Sequence, residues 1–86
     1  MKGRERKKMN EVTKNIAREL KLLRIANDYT LKELSEKTSV NTATLCRYEQ
    51  GKSDMKISTI YQIVNGYNID TGFFLAKTFA KTREEE

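Results

Sequence analysis

The stretch "TLKELSEKTSVNTATLCRYEQGK", residues 30–52, decides the fold. Thr30 and Glu33 have the spacing of a capping box, in which the threonine oxygen accepts from the backbone N–H three residues on and the glutamate reaches back. Tyr29 and Leu34 stand at hydrophobic-staple positions around that cap. The pattern predicts a helix over about Leu31–Thr38, with Leu31 and Leu34 inward and Ser35 at their margin. Three residues later it repeats. Asn41 is a strong cap, Val40 and Leu45 make a second staple pair, and Gly51 stands where a helix-ending glycine belongs. Two short capped helices are thus joined by a turn of about three residues, the spacing of a helix-turn-helix unit.

Outward from this unit the chain stays helical. Val12, Ile16, Leu20 and Leu23 recur at the spacing of one helix face, with Asn10 as candidate cap and Asn27–Asp28 as the turn that ends the helix near Ala26. Ile57, Ile60, Ile63, Val64 and Tyr67 mark a fourth helix, with Asp54 a candidate cap. The run "GYNID" breaks it, and Asp70 caps a fifth helix carrying Phe73, Phe74, Leu75 and Phe79. The fold class expected is all-α, a compact five-helix bundle. Residues 1–9 read as a disordered basic arm, 10–80 as one domain and 81–86 as a frayed tail.

Composition narrows what such a domain can do. The 86 residues are one-third charged and lack proline, tryptophan and histidine, and the net charge is +5. Nine Lys/Arg against three Glu put +6 of this in residues 1–24, leaving −1 for the rest. A basic end on a near-neutral body is an electrostatic footprint for nucleic acid or an anionic surface. Interleaved Glu11 and Glu19 and the lack of aromatic anchors argue against a membrane binder. With one cysteine no disulfide can form within the chain, and no apolar run or leader pattern stands out, so a cytoplasmic location is expected. Without histidine there is no Ser–His or Cys–His pair and no soft-ligand zinc site, and no phosphate-binding glycine loop occurs. The chemistry expected is binding rather than catalysis, with no metal and no cofactor.

Residues Ile16–Leu75 resemble the DNA-binding domain of the phage-repressor family, the Cro/C1 or XRE type. The likeness is carried by "IARELKLLR", "TLKEL", "VNTATLCRYEQGK", "STIYQI" and "GFFL". It implies a lambda-repressor-like bundle whose helix 42–50 enters the major groove of double-stranded DNA, as in a dimeric repressor on a palindromic operator. On a helical wheel Leu45, Tyr48 and Glu49 share one face, while Ala43, Cys46, Arg47 and Gln50 share the other. The resemblance puts Thr42, Ala43, Cys46 and Arg47 at base-facing positions, where Arg47 can clamp guanine O6/N7 or touch phosphate only.

Phosphate contacts are expected from Thr30 and Lys32 at the start of the first motif helix, from Asn41, and from Lys52, Ser53 and Lys56 after the second. The resemblance also implies an ion pair of Arg24 with Glu49 that fixes the recognition helix. Three positions depart from the family pattern: Leu31 replaces a phosphate-binding glutamine, and Ser39 and Asp28 replace glycines at turns. Tyr67, Ile69, Phe73 and Phe79 are candidates for a homodimer interface, or else complete the monomer core. An alternative function is an antitoxin-type module that masks a partner protein and also binds its own operator.

Overall fold

The computed structural model describes residues 3–52 and 54–84, with side chains from 11 to 83 other than 53. Five helices follow one another: α1 (Gly3–Ala26), α2 (Leu31–Thr38), α3 (Thr42–Gln50), α4 (Ile57–Asn65) and α5 (Thr71–Glu84). No strand occurs among the described residues. Ile16 and Leu20 of α1, Leu34 of α2, Leu45 and Tyr48 of α3, Ile60, Ile63 and Val64 of α4 and Phe74 of α5 form one buried core. Val40 in the turn joins them, and Val12, Leu23 and Leu31 pack against its edge.

The motif helices are capped as their sequence dictates. Glu33 N–H donates to Thr30 Oγ1 at 3.0 Å, and Thr30 N–H donates to Glu33 Oε1 at 2.9 Å. Hydrogen bonding from Thr30, its backbone N–H first and its side chain second, holds the Glu33 carboxyl below its ordinary pKa. At α3, Ala43 N–H donates to Asn41 Oδ1 at 2.7 Å. Asp70 caps α5 by accepting from Phe73 N–H at 2.9 Å.

Three boundaries differ from the sequence reading. The first helix, expected from Asn10, begins at Gly3, so Asn10 lies inside it and the stretch 3–9 read as an arm is helical backbone. Arg, Glu, Lys and Met are good helix formers, and with no proline nothing interrupts them. Asp54 does not cap α4; the cap is Lys56, without a side-chain bond. The segment from 81, expected to fray, is helical to Glu84. Long-range polar contacts tie it to α1: Lys81 Nζ donates to Glu19 Oε2 at 2.8 Å, and buried Asn15 Nδ2 donates to Thr82 Oγ1 at 2.8 Å.

Turns carry the strain that glycines would relieve. Asp28 and Ser39 sit in the left-handed region, at φ 59° and 63°, where a Cβ costs about 1–2 kcal/mol. Gly51 adopts φ 67°, and a Cβ there would stand 3.4 Å from Ala17 Cβ, so the end of α3 lies close against α1. At Gly66 a Cβ would meet Thr38 Cγ2 at 2.7 Å, which makes glycine the condition for α2 and α4 to meet. Replacing Ser39 by glycine removes the Cβ penalty, less the entropy that glycine adds to the unfolded chain. The expected gain is about 0.5–1 kcal/mol, read as a higher midpoint in thermal or urea unfolding.

Candidate nucleic-acid interface

Helix α3 is divided by its packing. Leu45 and Tyr48 are buried, whereas Thr42, Ala43, Arg47 and Gln50 are exposed and Cys46 is half-exposed. Four side chains read as base-facing therefore share one outer stripe, joined by Gln50. Its amide Nε2 donates to Cys46 Sγ at 3.5 Å, one turn away. Cys46 is a free thiol. Arg47 lies in the last turn of the helix, where unpaired carbonyls favour a cation.

Three contacts hold this helix in place. Arg24 Nε donates to Glu49 Oε2 at 2.8 Å and Arg24 Nη2 donates to Glu49 Oε1 at 3.0 Å, a two-pronged pair between α1 and α3. Arg24 Nη1 also donates to the Tyr29 carbonyl at 2.8 Å, which brings the entry to α2 into the same node. Both side chains are largely sheltered, at 17% and 9% exposure, and the bond to Glu49 raises the Arg24 pKa above its ordinary value. Beyond α3, Lys56 N–H donates to Tyr48 Oη at 2.9 Å, anchoring the following segment to a core side chain. No periodicity marks that bond in the sequence, since a tyrosine on an apolar face reads as core alone.

The described residues among those expected at phosphates are all on the surface. Thr30, Lys32, Asn41, Lys52 and Lys56 are exposed, and Ser53 lies outside the described residues. Thr30 and Asn41 already accept cap bonds through their side-chain oxygens. At the start of α2 the capping box uses the N–H groups of Thr30 and Glu33, leaving those of Leu31 and Lys32 for an external anion. Lys52 N–H donates to the Arg47 carbonyl at 3.3 Å, so that lysine springs from the end of α3.

The four interface candidates separate. Tyr67 and Ile69 are half-buried and pack against the core. The Tyr67 ring lies 5.8 Å from that of Tyr29, and its hydroxyl is buried without a hydrogen-bond partner. Burial is the main cause that pushes its pKa up to about 12. Phe73 and Phe79 remain exposed, at 65% and 41%. Among the described residues no acidic, histidine or cysteine side chains cluster as metal ligands, and no helix is long and apolar enough to cross a membrane.

Two predictions test this node. Glu49→Ala strands the Arg24 charge and is expected to cost about 3 kcal/mol, while the double change Arg24→Met with Glu49→Leu costs less than the single one in urea unfolding. For Tyr67, the folded pKa stands above the unfolded value, so the folded chain holds the proton that the unfolded chain releases. Stability attributable to this group is full below about pH 10 and falls as pH rises toward 12. Tyr67→Phe is expected to flatten that alkaline decline relative to the parent, and to leave stability near neutral pH equal or higher because no hydroxyl is buried unpaired.

The helix-turn-helix family model matches residues 20–74, which hold α2 and α3, the clamp residues and the core of α4. The HTH-type transcriptional regulator ImmR of Bacillus subtilis (strain 168) is 30% identical over 71 residues, 83% of this chain. The chain spans about half the length of that relative, 56% of it. No solved structure matches. The capped α2–α3 pair, its outward stripe and the family match together establish that the chain belongs to the DNA-binding helix-turn-helix family of the Cro/C1 (XRE) type.

Proposed function

We propose that the chain is a transcriptional repressor that reads a palindromic double-stranded operator as a homodimer, laying α3 in the major groove. The observation that carries this reading is the division of α3. Its inner residues and Glu49 are committed to the core and to the pair with Arg24, which leaves the side chains of Thr42, Ala43 and Arg47 exposed and Cys46 half-exposed beside Gln50 of the same helix. Arg47 supplies a fork of donors for guanine O6/N7, and the methyls of Thr42 and Ala43 suit a thymine methyl. Thr30, Lys32, Asn41, Lys52, Ser53 and Lys56 position the domain on phosphates, which carry no sequence information. The basic N-terminal sequence adds positive charge to the footprint along the DNA backbone. The name of the relative, a transcriptional regulator, supports the same role. Neither a cofactor nor catalysis enters it, and the protein works in the cytoplasm.

Selection of bound sites from random duplexes, followed by titration against salt, tests the proposal. The selected site is expected to be palindromic and to bind at least about 10³-fold more tightly than random DNA, with affinity falling steeply as salt rises. Equal competition by random DNA would refute it. Arg47→Ala is expected to lose about 1–3 kcal/mol of discrimination at one base pair of each half-site. Lys52→Ala instead weakens all sequences alike and makes the salt dependence shallower. An unchanged base preference in the Arg47 variant removes that residue from the reading head.

A further inference from the structure

The end of α2 meets the residue after α4 where Thr38 lies against Gly66, and beside that contact is an open groove of about 330 Å³. Among the described residues that line it, Lys37 is the one charge, set beside the carboxamides of Gln62, Asn65 and Asn68 and the ring of Tyr61. We propose that this groove docks an extended acidic segment of a partner protein. A carboxylate of that segment pairs with Lys37, and its backbone runs along Gln62 and Asn65.

Charge complementarity selects this occupant. Lys37 stands one turn after Glu33 on α2, a spacing at which the acid ordinarily neutralises the base. Here Glu33 is turned back to accept from Thr30 N–H at 2.9 Å, and Lys37 makes no ion pair among the described residues. Its ammonium is held instead over the Tyr29 ring, 5.9 Å from the centroid, which fixes a cation at the rim and leaves it open to a carboxylate. The three carboxamides make no side-chain hydrogen bond among the described residues. Each offers an acceptor and two donors, the set that an extended peptide backbone requires. Gln62 and Asn65, three residues apart, are neighbours on one face of α4. Tyr61, and Ile57 one turn before it, add an apolar edge, at 55% and 64% exposure. A free small anion would leave that edge and the backbone-pairing groups unused. Lys32 and Lys56, expected at phosphates, stand at the starts of α2 and α4, and the groove lies at the other ends of both helices. A segment seated there leaves α3 open to a duplex.

The test uses the full chain without DNA, so that the groove and the DNA reading fail separately. Selection from a phage-displayed library of random peptides is expected to return Asp or Glu next to an apolar residue. Lys37→Glu, an exposed change, is expected to weaken the selected peptide about a hundredfold by setting acid against acid. Selection on that variant is expected to return Lys or Arg in the acid's place. Gln62→Ala with Asn65→Ala is expected to weaken the parent's peptide about tenfold and to leave duplex affinity at the parent value. Arg47→Ala leaves peptide binding as it is in the parent. Circular dichroism confirms that each variant keeps the parent's helices. A selected set without acids overturns the proposal. So does a peptide that binds the Lys37 and the carboxamide variants as tightly as the parent. Competition by N-acetylaspartate as strong as by the peptide would make the groove a small-anion site, and would equally overturn the docking of a segment.

Discussion

The Arg24–Glu49 pair is the constraint on which the geometry of α3 depends. A nine-residue helix is too short to hold a fixed orientation by its own hydrogen bonds. Leu45 and Tyr48 bury one side of it, but apolar contact is non-directional and allows a helix to roll. The two bonds from a planar guanidinium to a carboxylate resist that roll, because both must keep their geometry at once. The third bond, to the Tyr29 carbonyl, makes the same arginine set the entry of α2. One side chain of α1 thereby fixes both halves of the motif.

The two ends of α3 are governed by a different force, close approach. Gly51 lets the helix stop against Ala17 in the backbone conformation that returns the chain across α1. The Lys56 backbone is then tied to the hydroxyl of Tyr48, and that of Lys52 to the Arg47 carbonyl, so both lysines after α3 leave from an anchored base. Both side chains are exposed, so the backbone sets where each flexible cation starts and the charge adapts from there.

How much of this was legible in the sequence depends on the range of each interaction. The caps of α2, α3 and α5 could be read directly because every partner lies within three residues of the other. The inward residues of α3 followed from its period. The ion pair of residues 24 and 49 was reached only through family resemblance, since nothing local links them. The partners of the last turns of α5 are equally distant: "KTREEE" reads as solvated, yet Glu19 and Asn15, more than sixty residues away, bond Lys81 and Thr82. Asp28 and Ser39 stand where the family resemblance expects glycine, and both adopt the left-handed conformation that glycine would favour.

The fate of the aromatic residues near the C-terminus shows why composition alone left core and interface undivided. Tyr67 and Phe73 are both apolar rings in the same region, yet Tyr67 turns inward at the cost of an unpaired hydroxyl. Phe73 turns outward although it has no polar atom to satisfy. The core, already filled by Phe74 on one side of α5, has no place for its neighbour. Successive residues on a helix point about 100° apart, so burying Phe74 commits Phe73 to the surface. That exposed ring costs the monomer nothing in hydrogen bonding and leaves its apolar surface in water.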